Sequence, residues 1–141
     1  MQNKINFFGL LHFKKNENLN LNFRSKSEKE KILVYLKNAI VLNEQLKNLG
    51  YNFELITNDR KYLNNLLNEL NFSIKLREIN FNTFVPTNTH FYSCHFRVDI
   101  FRYLSSLKNS YSALIDLDVL ILKKPVNLEK KRNKEIAFVN E

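Results

Sequence analysis

Apolar and polar positions along the chain fall into short runs that switch between a strand-like and a helix-like period. Residues 5–13 (INFFGLLHF) are almost continuously apolar, the pattern of a strand buried on both faces of a parallel sheet. Residues 16–26 are polar and Asn-rich. Ser27 and Glu30 then form a Ser-x-x-Glu capping box, which predicts a helix running to Leu49 with Gly50 as its stop. Along it Ile32, Leu36, Ala39, Ile40, Leu46 and Leu49 recur at three- and four-residue spacings, with Asn43 as the polar interruption, so one face is expected to pack into a core.

The same rhythm continues. Residues 51–57 (YNFELIT) predict a second strand, Asn58 and Asp59 a turn or helix cap, and residues 61–70 a second helix. The roughly alternating stretch 72–79 (FSIKLREI) predicts a third strand, followed by a turn-rich loop through Pro86 and Asn88. Thr89 is the expected cap of a third, aromatic-rich helix over residues 90–108. Residues 111–122 contain a fourth strand that carries Asp116 and Asp118, and Pro125 ends it. Residues 136–139 (IAFV) have the pattern of a fifth strand. Strands alternating with helices of this length predict an α/β fold, a Rossmann-like, mainly parallel sheet flanked by helices, whose ligands bind outside the carboxyl ends of the strands.

Composition adds bounds. A chain of 141 residues with 44% hydrophobic residues is expected to be one domain, 1–141, with a core of its own. No apolar run reaches the roughly 18 residues of a membrane span, and the N-terminal stretch MQNKINFFGLLHFKK is too quickly charged for a signal peptide, so a cytoplasmic location is expected. The single cysteine, Cys94, excludes an internal disulfide and a multi-cysteine metal site, and is expected to be a packing residue. A net charge of +8 favours anionic partners, although heavy use of Lys and Asn also fits the codon bias of a low-GC coding sequence.

The chemistry concentrates in ALIDLDVLIL. Two carboxylates two residues apart in so apolar a run must be paired or bound to a cation, because an isolated buried charge is costly. If the strand ends near Ile115, Asp116 and Asp118 emerge at its carboxyl end and project the same way, two oxygen ligands for one hard cation such as Mg²⁺ or Mn²⁺, with substrate phosphates completing the shell. Upstream, FRVDIFRYL sets Asp99 and Arg102 one turn apart on a helix face, with Arg97 close to the opposite side. An arginine fork can hold two phosphate oxygens at once, and a surface ion pair between Asp99 and Arg102 is the plainer alternative.

In this order the features resemble the nucleotide-diphosphosugar glycosyltransferases of the GT-A fold, particularly the Asp-x-Asp enzymes of bacterial surface polysaccharide synthesis, over about residues 30–125. Those enzymes carry an Asp followed three residues later by Arg on a helix, then a strand ending in Asp-x-Asp; here these are Asp99, Arg102, Asp116 and Asp118. The resemblance implies that Asp116 and Asp118 hold Mn²⁺ or Mg²⁺ on the donor's diphosphate, that Arg102 lies near the phosphates, and that Asp99 meets ribose or sugar hydroxyls. It sets Asn58 and Asp59 where such folds contact the base or ribose, a helix cap being the alternative. The donor implied is a nucleotide diphosphosugar, a UDP-sugar foremost, and the acceptor a saccharide or a lipid-linked molecule, with peripheral contact at the inner membrane face.

Two departures qualify the resemblance. The loop KNSYS lacks the Gly-Gly that often precedes the strand, and only the 23 residues 119–141 follow Asp118, where the family carries its acceptor-binding half and a further metal ligand, commonly a histidine. His12, His90 and His95 all precede the pair, and none is assigned to the metal. The expected unit is therefore the donor-binding part of a truncated enzyme, with an apolar sheet edge that favours self-association. Two other classes compete. A haloacid-dehalogenase-type phosphatase also places Asp-x-Asp after an apolar strand, though with Gly and Thr or Val following rather than Val119, Leu120 and Ile121. A nucleic-acid-binding module would use Arg97, Arg102, Lys123, Lys124, Lys130, Lys131 and Arg132 among the aromatics, but those aromatics lie in core-like runs, and no nucleic-acid partner is expected.

Overall fold

In the computed structural model, which describes residues 5–13, 27–86, 89, 92–107 and 111–122, four strands run parallel in one sheet. They are β1 (Ile5–Leu11), β2 (Asn52–Thr57), β3 (Lys75–Glu78) and β4 (Tyr111–Leu114), in the order β3-β2-β1-β4. Three helices connect them: α1 (Glu28–Asn48), α2 (Arg60–Glu69) and α3 (Arg97–Ser106), the last led in by a 3-10 turn over Tyr92–Phe96. The chain is thus of the α/β class with a parallel sheet. The expected fifth strand at 136–139 and the basic positions 123–132 lie outside the described residues.

Alternation along the strands divides the core. Phe7, Leu11, Phe53, Leu55 and Leu76 pack with Ile32, Leu36, Ala39, Leu42 and Leu46 of α1 and with Leu63, Leu66 and Leu67 of α2. Leu42 completes the three- and four-residue ladder that Asn43 interrupts. The alternate residues Phe8, Leu10, Ile56 and Leu114 face Ile100, Tyr103 and Leu104 of α3. This second core is smaller, and near β3 the ladder neighbours turn ionic: Glu54 pairs with both Lys75 and Arg77. Apolar burial on both faces of β1 matches its run of apolar residues.

Local signals decide where the elements stop. The Ser27 hydroxyl accepts from the Glu30 N–H and opens α1. At its other end the Tyr51 N–H donates to the Leu46 carbonyl and the Gly50 N–H to that of Lys47, with Gly50 at φ 81, so a left-handed residue closes the helix. Asn71, at φ 56, closes α2 in the same pattern through Phe72 N–H to Leu67 O and Asn71 N–H to Asn68 O. That closure consumes residues 70–72, which is why β3 pairs only over Lys75–Glu78 and not from residue 72.

Two further expectations shift. The β1 ladder ends at Leu11 because Phe13 turns to the side chain of Asn58, donating to its Oδ1 at 3.0 Å and accepting from its Nδ2 at 2.6 Å. Thr89 does not cap the third helix: its hydroxyl donates to the Pro86 carbonyl, and α3 begins only at Arg97, after Phe96 and without a side-chain cap. Among the described residues no helix is long and apolar enough to cross a membrane.

A Cβ at position 50 meets no atom within 4 Å, so the cost of replacing this glycine is conformational alone. Gly50→Ala is expected to lower stability by about 1 kcal/mol, as read from urea unfolding with an unchanged slope.

Candidate functional site

The chain lays β2 and β3 down on one side of β1 and then returns to place β4 on the other. Strand order reverses between β1 and β4, and in an open parallel sheet the crevice beyond the carboxyl ends at such a point is where ligands bind. His12 and Phe13 follow β1 there, and residues 116–118 follow β4.

The aspartate pair sits in a turn fixed by its apolar neighbours. The Ile115 N–H donates to the Phe8 carbonyl at 2.8 Å and ends the ladder; the Val119 N–H closes back on the Asp116 carbonyl at 3.4 Å. Leu117, between the two acids, is buried over Gly9, so close that an added Cβ there would lie 2.5 Å from Leu117 Cδ2 and 3.0 Å from the Phe53 ring. Beyond the turn the Ile121 N–H donates to Gln45 Oε1 at 3.2 Å, tying the outgoing chain to α1. Both carboxylates stay exposed.

They meet different neighbours. Leu114 belongs to the α3 core and Ile115 packs against the α1 and α2 core, so the next step of the alternation takes Asp116 to the α3 side, where its carboxylate accepts from the Arg97 guanidinium. Asp118 acts on Tyr35 of α1, whose phenol is pushed up first by burial and then by the charges of Asp118 and Cys94. Cys94 is exposed rather than packed, whereas Phe96 of the same 3-10 turn is buried.

Asp99 is turned inward. It is 6% exposed, and its two oxygens accept the backbone N–H groups of Asn82 at 3.2 Å and Thr83 at 3.1 Å, in the loop that follows β3. Burial alone would raise its pKa, but the hydroxyl and amide of Thr83, the amide of Asn82 and the Arg102 charge together hold the carboxyl below the usual range. One terminal nitrogen of Arg102, Nη1, comes to 4.0 Å of Asp99 Oδ1 while the side chain is 72% exposed, so the guanidinium stands beside the carboxylate and remains largely open to solvent. What the sequence suggested as a surface pair or a hydroxyl contact is here a loop anchor, legible only once the loop and α3 are known to touch.

Asn58 and Asp59 are occupied by the fold. Asn58 joins the ends of β1 and β2 through Phe13, and the Asp59 carboxylate caps α2 by accepting from the Tyr62 N–H at 2.9 Å. His12 is buried, stacked on Phe96 at 4.0 Å and edge-on to Phe81 at 4.8 Å, while His95 is exposed; His90 lies outside the described residues. Among the described residues no three His, Cys, Asp or Glu side chains gather as a ready cation cage. Two exposed carboxylates at one turn supply oxygen donors only, which suits a hard divalent ion that takes its remaining ligands from water and phosphate.

Compared with known proteins, the chain matches no family model, no curated protein and no solved structure.

Because the Asp99 pKa is lowered in the fold, its contribution to stability is complete above the unfolded value near 4 and is lost as pH falls through the folded value. Asp99→Asn is therefore expected to cost about 2 kcal/mol at pH 7, and its stability should decline less steeply than that of the parent chain below about pH 4. Denaturant unfolding at a series of pH values measures both. The packing of Leu117 over Gly9 makes a second expectation: Leu117→Ala and Gly9→Ala each destabilise, by about 2 and about 1 kcal/mol, while the double variant costs less than their sum, since the cavity accepts the new methyl.

Proposed function

We propose that this chain binds a nucleotide diphosphosugar and acts as the donor-binding part of a GT-A-like glycosyltransferase of surface polysaccharide synthesis. The observation that carries the reading is the Asp116-Leu117-Asp118 turn at the strand-order reversal, with Arg97 against Asp116 and Arg102 on the same helix. Its support is positional and chemical: an acid paired with a cation, and a second exposed acid two residues on, follow β4 on the side where the fold class takes its ligands.

On this reading Asp116 and Asp118 hold Mn²⁺ or Mg²⁺ on the diphosphate, and a bound ion would stabilise the charge that develops on the departing nucleotide diphosphate. Arg97 pairs with Asp116 when no donor is present; both side chains are partly exposed, and such pairs contribute no more than about 1 kcal/mol, so a divalent cation can take the carboxylate and leave the guanidinium for phosphate. Arg102 offers its exposed fork to the same group, oriented by Asp99. Asn58 and Asp59 shape the rim through backbone geometry rather than through free side chains. An acceptor hydroxyl, on a saccharide or lipid-linked molecule, would attack the anomeric carbon from the open side.

Titrating UDP and GDP into the purified chain, with and without Mn²⁺, tests the reading. Nucleotide diphosphate binding that depends on Mn²⁺ and weakens at least about tenfold in Asp118→Ala is expected. Binding that ignores the metal or the substitution sinks the proposal, and a preference for duplex DNA over both nucleotides would redirect it to the net positive charge.

A further inference from the structure

The ion pair between Arg97 and Asp116 is mounted on two fixed pieces of backbone. Arg97 opens α3 directly after Phe96, which is buried and stacked on His12 at 4.0 Å. Two residues further on, the buried Asp99 carboxylate accepts the amides of Asn82 and Thr83. On the other side, Asp116 precedes Leu117, which is buried over Gly9, and the Asp116 carbonyl accepts from the Val119 N–H. Both roots are therefore held by the core, and the fold itself presents the guanidinium to the carboxylate. The side chains are 41% and 57% exposed, so the pair can part without stranding a buried charge.

The consequence of parting depends on what arrives. A divalent cation that takes Asp116 leaves the Arg97 guanidinium unpaired beside a like charge. An anion that takes Arg97 leaves the Asp116 carboxylate unpaired beside a like charge. Either ligand alone thus breaks an attraction and creates a repulsion. When both arrive, a single parting serves both: the carboxylate meets the cation, the guanidinium meets phosphate oxygens, and no charge is left without a partner. By linkage, each ligand then raises the affinity for the other by the same factor.

We propose that the Arg97–Asp116 pair is an interlock, which opposes a divalent cation or a phosphate-bearing anion that comes alone and yields to the two together. This rests on the donor-site reading above and adds to it the residue through which metal and diphosphate binding are coupled.

The whole 141-residue chain and its Arg97→Met variant are titrated with MnCl₂, once without UDP and once with UDP at saturation. Free Mn²⁺ is read by electron paramagnetic resonance, after subtraction of the ion that UDP holds in solution. Without UDP the variant should bind Mn²⁺ about fivefold more tightly than the parent, the upper range for a partly exposed pair. With UDP the two should agree within about twofold, because the pair has already parted in the parent. Misfolding cannot produce a gain in affinity, and a positive charge acting only from a distance would shift Mn²⁺ binding by the same factor in both titrations. No gain without UDP, or an equal gain in both titrations, overturns the interlock and leaves the donor site standing. A parent chain that binds no UDP in Mn²⁺ overturns the donor site, and the interlock with it.

Discussion

Everything at the candidate site depends on β1 being shared by two neighbours laid down at different times. β2 pairs with one edge of β1 over residues 6–11, and β4 pairs with the other over residues 5–8. The first pairing directs α1 and α2 to one face, and the return of the chain to the far edge of β1 puts α3 on the other. A crevice at the carboxyl ends is the geometric result of that reversal. Because the β4 ladder ends after Ile115, whose N–H reaches Phe8, the turn with the two acids lies beside β1 at the level of Gly9, two residues before that strand ends at Leu11.

Apolar contacts and one buried charge then do the placing. Leu117 is drawn over Gly9, the one position along β1 without a side chain to block it, and this leaves the flanking carboxylates at the surface. Asp99 acts in the reverse sense, as a polar group inside. An ionised carboxyl at that depth is tolerated because amides meet both of its oxygens and an arginine stands at 4.0 Å, so the penalty of burial is offset by fixed partners. The loop after β3 and the helix that carries both arginines are thereby joined into one frame.

Much of the fold was legible in residue order. Ser27 with Glu30, Gly50, and the apolar ladder of α1 are short-range signals whose physics is complete within a few residues, and they match the structure. The parallel sheet followed from the run at residues 5–13 and the strand and helix rhythm. Misplaced boundaries have both distant and local causes: Phe13 leaves the ladder for Asn58, 45 residues on, whereas the Thr89 hydroxyl goes to the Pro86 carbonyl three residues back and α3 starts only at Arg97. At the site, Asp116 and Asp118 stood out because acids in an apolar run are conspicuous. The inward turn of Asp99 did not, since spacing to Arg102 looks the same whether the pair faces solvent or a loop. Cys94, expected inside, is exposed because Phe96 of the same turn takes the buried place against His12.

Two acids near the two arginines therefore differ in kind. Asp99 cannot exchange partners cheaply: freeing it would strand two backbone amides and a charge on a side chain that is almost entirely buried. Asp116 can, because its ion pair with Arg97 lies in high dielectric, where solvent replaces either partner at little cost. A site that must hold its shape while accepting an anion and a cation together needs both kinds, one charge to fix the scaffold and one to be traded. Substituting asparagine at either position removes the same formal charge, yet at Asp99 the scaffold would loosen and at Asp116 only the trade would be lost.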